Sequence, residues 1–432
     1  MTPSDKIPPS KTPSDQTRPR KNGWKKSAAI VGINLILTAG LVEAALRLFP
    51  TVVPANLLIH FEPRLRSKIA AGRFPTAEDA VSFERTDGGF PFPIWKPLAE
   101  VSYSFEDPGT VNTVKMDEIG FCNAAGLYEQ QTQFDVVAIG DSFTWCLTVN
   151  PEDTWPAQLA AVTDLSTYNL GQQGIGLYEY LELLKRYGLE KRPKVVVMNV
   201  YEGNDLRDAL RYVSFRQSGA TDQRAKEASG EADSVGLLGQ NSYAWNLLRA
   251  AIAQNQPVAE TNFNYEGYSD DGENFRYSLA FETGDVPFNL ENGDLDEVVH
   301  AKLLNDDKVD LSIFSDALTE FMRLAEAEGF TPIVSYTPSA YTVYSDVVTF
   351  EQPILNEIMP AYSQRQRAFF ADKTEELGLT FLDLTPGLQA VADDYTTPEK
   401  ILYYQTNRHF TKYGHAVVAE LLAQVVQESV AP

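Results

Sequence analysis

The eight residues Lys194 to Tyr201 read KVVVMNVY, and a run so continuously apolar fits a strand only when both of its faces are buried. Strands of that kind belong to parallel sheets with helices on each side, so this segment narrows the chain to an α/β layer architecture. Four further runs repeat the theme: Asp135 to Ile139, Ser166 to Gly171, Thr331 to Pro338 and Leu379 to Leu384. Helical patterns separate them. Glu152, Trp155, Leu159 and Val162 fall at helical spacing, and GLYEYLELLKRYGLE follows the second strand. Leu311, Phe314, Leu318, Phe321, Met322 and Ala325 share one face of a helix that Asp310 starts and Gly329 ends. A long helical region lies roughly between Glu351 and Leu377, and a last helix, Tyr413 to Gln427, turns Val417, Val418, Leu421, Leu422 and Val425 inward. The alternation predicts a parallel sheet covered on both faces.

Each of the first three strands ends in residues suited to chemistry. The first breaks at Gly140, Asp141 and Ser142, delivering a hydroxyl into a tight turn before the next helix, where backbone N–H groups can stabilise an oxyanion. The second runs into NLGQQGIG, whose glycines 171, 174 and 176 let backbone approach a ligand or adopt φ > 0, although a plain turn uses glycine too. The third ends in Glu202, Gly203, Asn204 and Asp205, where Asn204 is either a donor into a site or a helix cap. Such sheets bind ligands at the carboxyl ends of their strands, which favours the functional readings. Near the C-terminus TNRHFTKYGH offers two imidazoles, His409 and His415.

These four stretches, in this order, resemble the SGNH, or GDSL-type, hydrolase superfamily over roughly Phe134 to the C-terminus, with a long interruption. The resemblance implies a flavodoxin-like α/β/α sandwich with Ser142 as nucleophile and His409 as base. The N–H groups of Ser142 and Gly174 and the amide of Asn204 would form the oxyanion hole. His415 is the rival base, otherwise a packing or capping residue. No metal and no cofactor is implied. The competing α/β-hydrolase elbow needs GxSxG, and Thr144 stands where its second glycine belongs. In the family an aspartate lies two or three residues before the histidine, and here those positions hold Asn407 and Thr406. Asn407 is then the candidate acceptor for the imidazole N–H. Losing the anion costs up to about 10⁴-fold in a serine protease, so the expectation is a slow Ser142–His409 dyad or a domain that has lost catalysis. Asp383 is a weaker substitute, more simply a loop or cap residue, and Glu202, where some members have glycine, reads as variation. The function implied is a serine esterase that forms an acyl-serine and deacetylates a cell-envelope glycan. An O-acetyltransferase on an envelope polysaccharide and an inactive glycan-binding or scaffold protein are the alternatives, and the partner is an acylated carbohydrate or other ester.

Placement comes from the N-terminus. Sixteen residues, Ser27 to Val42, carry no charge, and the helical pattern continues through Glu43 and Arg47 to Phe49. About 22 residues rising ~1.5 Å each span roughly 33 Å, enough to cross a bilayer's hydrocarbon core. Arg18, Arg20, Lys21, Lys25 and Lys26 precede the run. The positive-inside rule therefore sets the N-terminus in the cytoplasm and everything after Pro50 in the periplasm or outside the cell. A cleaved signal peptide or a buried helix are the alternatives, and LVEAAL at Leu41 to Leu46 lacks a small-x-small cleavage site. Glu43 and Arg47, four apart, can pair or snorkel at the interface.

The expected layout is a disordered cytoplasmic tail over 1–26, a membrane helix over 27–49, a lead-in of short strands and loops over 50–133, and a hydrolase-like domain over 134–432. An insertion at about 208–305 is too long for a simple connection and reads as a cap or lid. His60 reads as a juxtamembrane packing residue, His300 as part of the insertion's surface, and Asp270, Asp271 and Glu273 as a solvated acidic surface rather than a calcium site. Residues 1–26 carry +5, leaving −28 for the rest of a chain whose net charge is −23, which argues against nucleic acid as a partner. Cys122 and Cys146 fall on the exported side, where they can bond or remain two buried thiols.

Overall fold

The computed structural model describes residues 22–49, 52–53, 81–104, 111–218, 239, 241–253, 276–281, 284–289, 294–350, 353–392, 400–404 and 408–430. Expectations placed on the tail 1–21, on His60, on Asp270, Asp271 and Glu273, and on Thr406 and Asn407 lie outside the described residues. The chain divides into two compact units, Met1–Arg66 with Leu237–Asn255 and Ser67–Gly236 with Gln256–Pro432.

The larger unit begins with two antiparallel pairs, β1 (Val81–Arg85) with β2 (Pro91–Trp95) and β3 (Glu100–Ser104) with β4 (Val111–Lys115). Next come β5 (Val136–Gly140), β6 (Thr167–Asn169) and β7 (Val195–Tyr201), then β8 (Arg276–Phe281) paired antiparallel with β9 (Gly284–Asn289). The chain ends its strands with β10 (Thr331–Thr337), β11 (Val348–Phe350), which joins β8, and β12 (Thr380–Asp383). The main sheet has the order β12-β10-β7-β5-β6 and every pairing in it is parallel. Counted within the sheet that is 2-1-3-4-5, the flavodoxin-like order, whose ligand crevice lies between the first and third strands at their carboxyl ends. Here those strands are β5 and β7. Every residue of both is buried, as their unbroken apolar sequences require. The helices pack in two groups, Trp155–Thr163 with Lys412–Val430 and Ser315–Glu328 with Leu177–Leu183 and Leu355–Leu377, as a sheet covered on both faces needs.

Two local expectations change. After β5 the chain continues in turns to residue 149, and the helix read from Glu152 starts only at Trp155. The reason is tertiary: Trp145 stacks on Trp95 with ring centroids 5.4 Å apart, and Cys146 is bonded to Cys122 across a Cα–Cα distance of 6.0 Å. Together with Val101, Val114 and Met116 they form a second small core between the lead-in and the segment after Ser142. Because Glu152 belongs to the preceding 3-10 turn Pro151–Asp153, the helix starts its own frame, burying Trp155, Leu159 and Thr163 and leaving Val162 48% exposed. His300 is not on the surface: it is buried within helix Asp294–Asn305.

The lead-in also closes the sheet. Asn123 Oδ1 accepts from Asn169 N at 2.9 Å and its Nδ2 donates to Asn169 O at 3.0 Å. One side chain thus does what a further strand would do at the open edge of β6.

The smaller unit contains helix Asn22–Leu48, which begins five residues before Ser27, and helix Tyr243–Ala253, which comes from within the stretch read as an insertion. The segment Ile30–Leu48 is long and apolar enough to cross a membrane.

Candidate active site

The turn after β5 wraps around Asp141. Its carbonyl accepts from Thr144 N (3.1 Å) and Trp145 N (3.0 Å), and its Oδ1 accepts from Phe143 N (2.8 Å), leaving Ser142 at the rim. Asp141 is fully buried, and desolvation pushes its carboxyl up to about 7, against the pull of the Phe143 N–H. The loop after β6 is fastened to this turn through Asn169, whose Nδ2 donates to Thr144 O (2.7 Å) and whose Oδ1 accepts from Gly171 N (2.8 Å). Gly171 has no space for a side chain, since a Cβ would stand 2.6 Å from Trp145 N. Gly174 sits at φ 66°, a conformation that glycine takes without strain.

His409 reaches Ser142 from 267 residues away in sequence, with Nε2 2.7 Å from Oγ. Its ring stacks on Phe143, centroids 4.6 Å apart at 23°, and Phe143 stacks in turn on Tyr201 at 3.8 Å. Thr148 Oγ1 donates to Phe410 O at 2.9 Å, which ties the loop of His409 to the segment after Ser142. Asp383 is elsewhere. It is bonded to Arg367 Nε (2.6 Å) and caps Thr385 N (2.9 Å), and β12 lies three strands from β5, about 14 Å at the usual strand spacing. Asp383 is therefore the cap residue, not the acid.

Asn204 follows β7. Its main-chain oxygen accepts Asp208 N at 3.0 Å, as at the start of any helix, but its side chain does not cap. An N-cap oxygen would accept from the first-turn N–H groups, whereas Asn204 Oδ1 has no hydrogen-bond partner among the described residues and Nδ2 donates to Asp208 Oδ2 at 3.1 Å. Asp208 is gripped by Arg207 through two bonds of 3.0 Å each and by Arg211 at 3.2 Å. Ser142, Gly174, Asn204 and Arg207 line one open cavity of about 380 Å³, together with Phe83 and Pro93 from the lead-in and with Leu147 and Gln173. That volume suits a small ester group.

Sequence reasoning missed Arg207 and Phe143. The signal for Arg207 was its place one turn of helix after Asn204, on the same face; for Phe143 there was none, since its partners His409 and Tyr201 are distant in sequence. Glu202 is more than variation. It is fully buried and accepts from Tyr336, Ser339, Thr342 and Ser363 hydroxyls at 2.5 to 3.1 Å, so that it pins the residue two before Asn204 to β10 and to helix Leu355–Leu377. Burial raises its carboxyl above the ordinary range although all four hydroxyls pull it down.

His415 takes the structural role. Its Nδ1 accepts from Trp155 N at 3.1 Å at the start of helix Trp155–Thr163. Burial, with His409 adding, lowers it to about 3. A group that binds protons better unfolded, at about 6.5, makes stability fall as pH drops from about 6.5 towards 3. His415→Asn keeps an acceptor for Trp155 N and removes that loss. Urea midpoints across this pH range should flatten in the variant while ester turnover stays within a few-fold; loss of turnover instead would make His415 the base.

No family model matches the sequence, and no curated protein matches it. Solved structures similar to it include a chain described as a lipolytic protein of the G-D-S-L family from Desulfitobacterium hafniense DCB-2. That chain is 16% identical with TM-score 0.35, the match covering 67% of this chain and 98% of the other. An acetylxylan esterase from Geobacillus stearothermophilus is 11% identical with TM-score 0.34, over 68% of this chain and 95% of that one. The acetyl xylan esterase AlAXEase is 14% identical with TM-score 0.33, over 67% and 98%.

Proposed function

We propose that the chain is a membrane-anchored serine esterase of the SGNH type, acting outside the cytoplasm on an acetylated cell-envelope glycan. The observation that carries the chemistry is the 2.7 Å contact between Ser142 Oγ and His409 Nε2, at the rim of a cavity that Gly174 and Asn204 also line. A serine hydroxyl is a weak nucleophile without a base. His409 Nε2 takes its proton as Oγ bonds to the carbonyl carbon, and the oxyanion accepts from the N–H groups of Ser142 and Gly174 and from Asn204 Nδ2. Asp208 holds one hydrogen of that amide, and the other serves the oxyanion. On collapse His409 returns the proton to the departing alcohol oxygen, leaving acyl-Ser142. Water then attacks, giving its proton to His409, and the carboxylic acid leaves as Ser142 recovers the proton. The stack on Phe143 supports the imidazole in this dyad.

The acetylated glycan is proposed on the family resemblance of the four motifs. Acetate release from acetylated glycan, measured with and without an acceptor glycan, tests it: release independent of acceptor supports the esterase, and acetyl transfer to the acceptor at the expense of release contradicts it. Anchoring is supported by the apolar Ile30–Leu48 helix, and export by the Cys122–Cys146 bond, since disulfides persist in oxidising compartments. Protease added to intact spheroplasts should digest the larger unit; full protection would reverse the orientation.

A further inference from the structure

We infer that helix Tyr243–Ala253 lies in the membrane interface, with its exposed apolar face in the same bilayer that helix Asn22–Leu48 crosses. The inference rests on the membrane-spanning reading of Asn22–Leu48 and extends it to a segment nearly 200 residues further along the chain. Helix Tyr243–Ala253 reads YAWNLLRAAIA. Trp245, Leu248 and Ile252, at i, i+3 and i+7, form one stripe on it, and they are 42%, 52% and 52% exposed. A helix of a water-soluble domain turns such a stripe to its core. This one turns it outward.

The position of the helix decides what covers the stripe. Glu43 Oε2 accepts from Ala244 N and from Ser242 Oγ, both at 2.8 Å, so a carboxylate of the first helix caps the second. Arg47 Nε bonds the other oxygen of Glu43 at 2.6 Å, and the Arg47 guanidinium lies 5.2 Å over the Tyr243 ring. Asn246, fully buried, closes the turn with bonds from Nδ2 to Gly239 O and Ser242 O. Glu43 and Arg47 are the two charged residues between Ser27 and Phe49, and both are engaged in holding the second helix. Glu43 is five residues from Leu48, the end of its helix, a rise of about 7.5 Å, which falls within the roughly 5–10 Å depth at which amphipathic helices lie in the interface. Away from the clamp the first helix is itself apolar and open, with Leu41 and Leu48, on the face opposite Glu43, more than 70% exposed. Tyr243, Trp245 and the exposed Arg249 are the residue types that favour the headgroup level. An exposed apolar stripe is thus clamped at the depth of Glu43 on a helix that spans the bilayer, and a lipid surface is its partner.

The test uses the full chain in phosphatidylcholine vesicles, with one introduced cysteine carrying the polarity-sensitive dye NBD, the two native cysteines being bonded to each other. Leu248→Cys reports on the stripe and Leu37→Cys on the spanning helix. Both labels should emit blue-shifted light and lose most of it when the vesicles contain brominated lipid. Glu43→Gln should weaken quenching at position 248 and leave it unchanged at 37. Quenching at 37 with a water-like, unquenched label at 248 overturns the inference and leaves the anchor standing. No quenching at either position removes the anchor and the inference together. Crosslinking of Leu248→Cys between copies without quenching would make a second copy of the chain the partner, which also overturns it.

Discussion

His409→Ala is expected to lower kcat/KM for an activated ester by about 10⁴-fold, the upper range for loss of a general base, with little change in thermal midpoint. The imidazole is half-buried at the cavity rim, 2.7 Å from the Ser142 hydroxyl, so in the proposed mechanism its removal costs the reaction more than the fold. His415 cannot take over, because its Nδ1 is committed to Trp155 N and burial makes it a very weak base. Steady-state kinetics beside a melting curve checks this. A loss under about tenfold would mean that water alone supplies the base, or that turnover arises at another site.

Asn204→Ala should lower kcat by about 10²- to 10³-fold, as expected for one oxyanion donor, and leave KM nearly unchanged, because the amide is proposed to meet charge only in the transition state. Stability should barely move. The side chain does not cap its helix, its Oδ1 is without a partner among the described residues, and the Asp208 carboxylate that it touches keeps its bonds to Arg207 and Arg211. A variant that melts far lower with its rate intact would make Asn204 a structural residue.

The parallel sheet was legible because β5 and β7 are buried on both faces and carry that burial as unbroken apolar sequence. The ends of those strands were legible for a related reason: Ser142, Gly174 and Asn204 stand where a parallel sheet delivers side chains and loops to its crevice, and one cavity brings them together. What local sequence could not carry were contacts between distant segments. Nothing near Phe143 announces that His409 and Tyr201 stack on it, and nothing near Glu202 announces hydroxyls that arrive 134 to 161 residues later. The helix after Ser142 was read from Glu152, yet Glu152 belongs to a 3-10 turn and the helix starts at Trp155, after a stretch that the Trp95–Trp145 stack and the Cys122–Cys146 bond hold in turns. His300 was read as part of the insertion's surface, yet it is buried within helix Asp294–Asn305.

The central claim is that Ser142 Oγ takes the acyl group. Incubating the intact protein with a fluorophosphonate and mapping the modified peptide by mass spectrometry tests it most directly. One label on Ser142 is expected, absent from Ser142→Ala and strongly slowed in His409→Ala. A folded parent protein that never reacts, or a label that persists unchanged in Ser142→Ala, would contradict it.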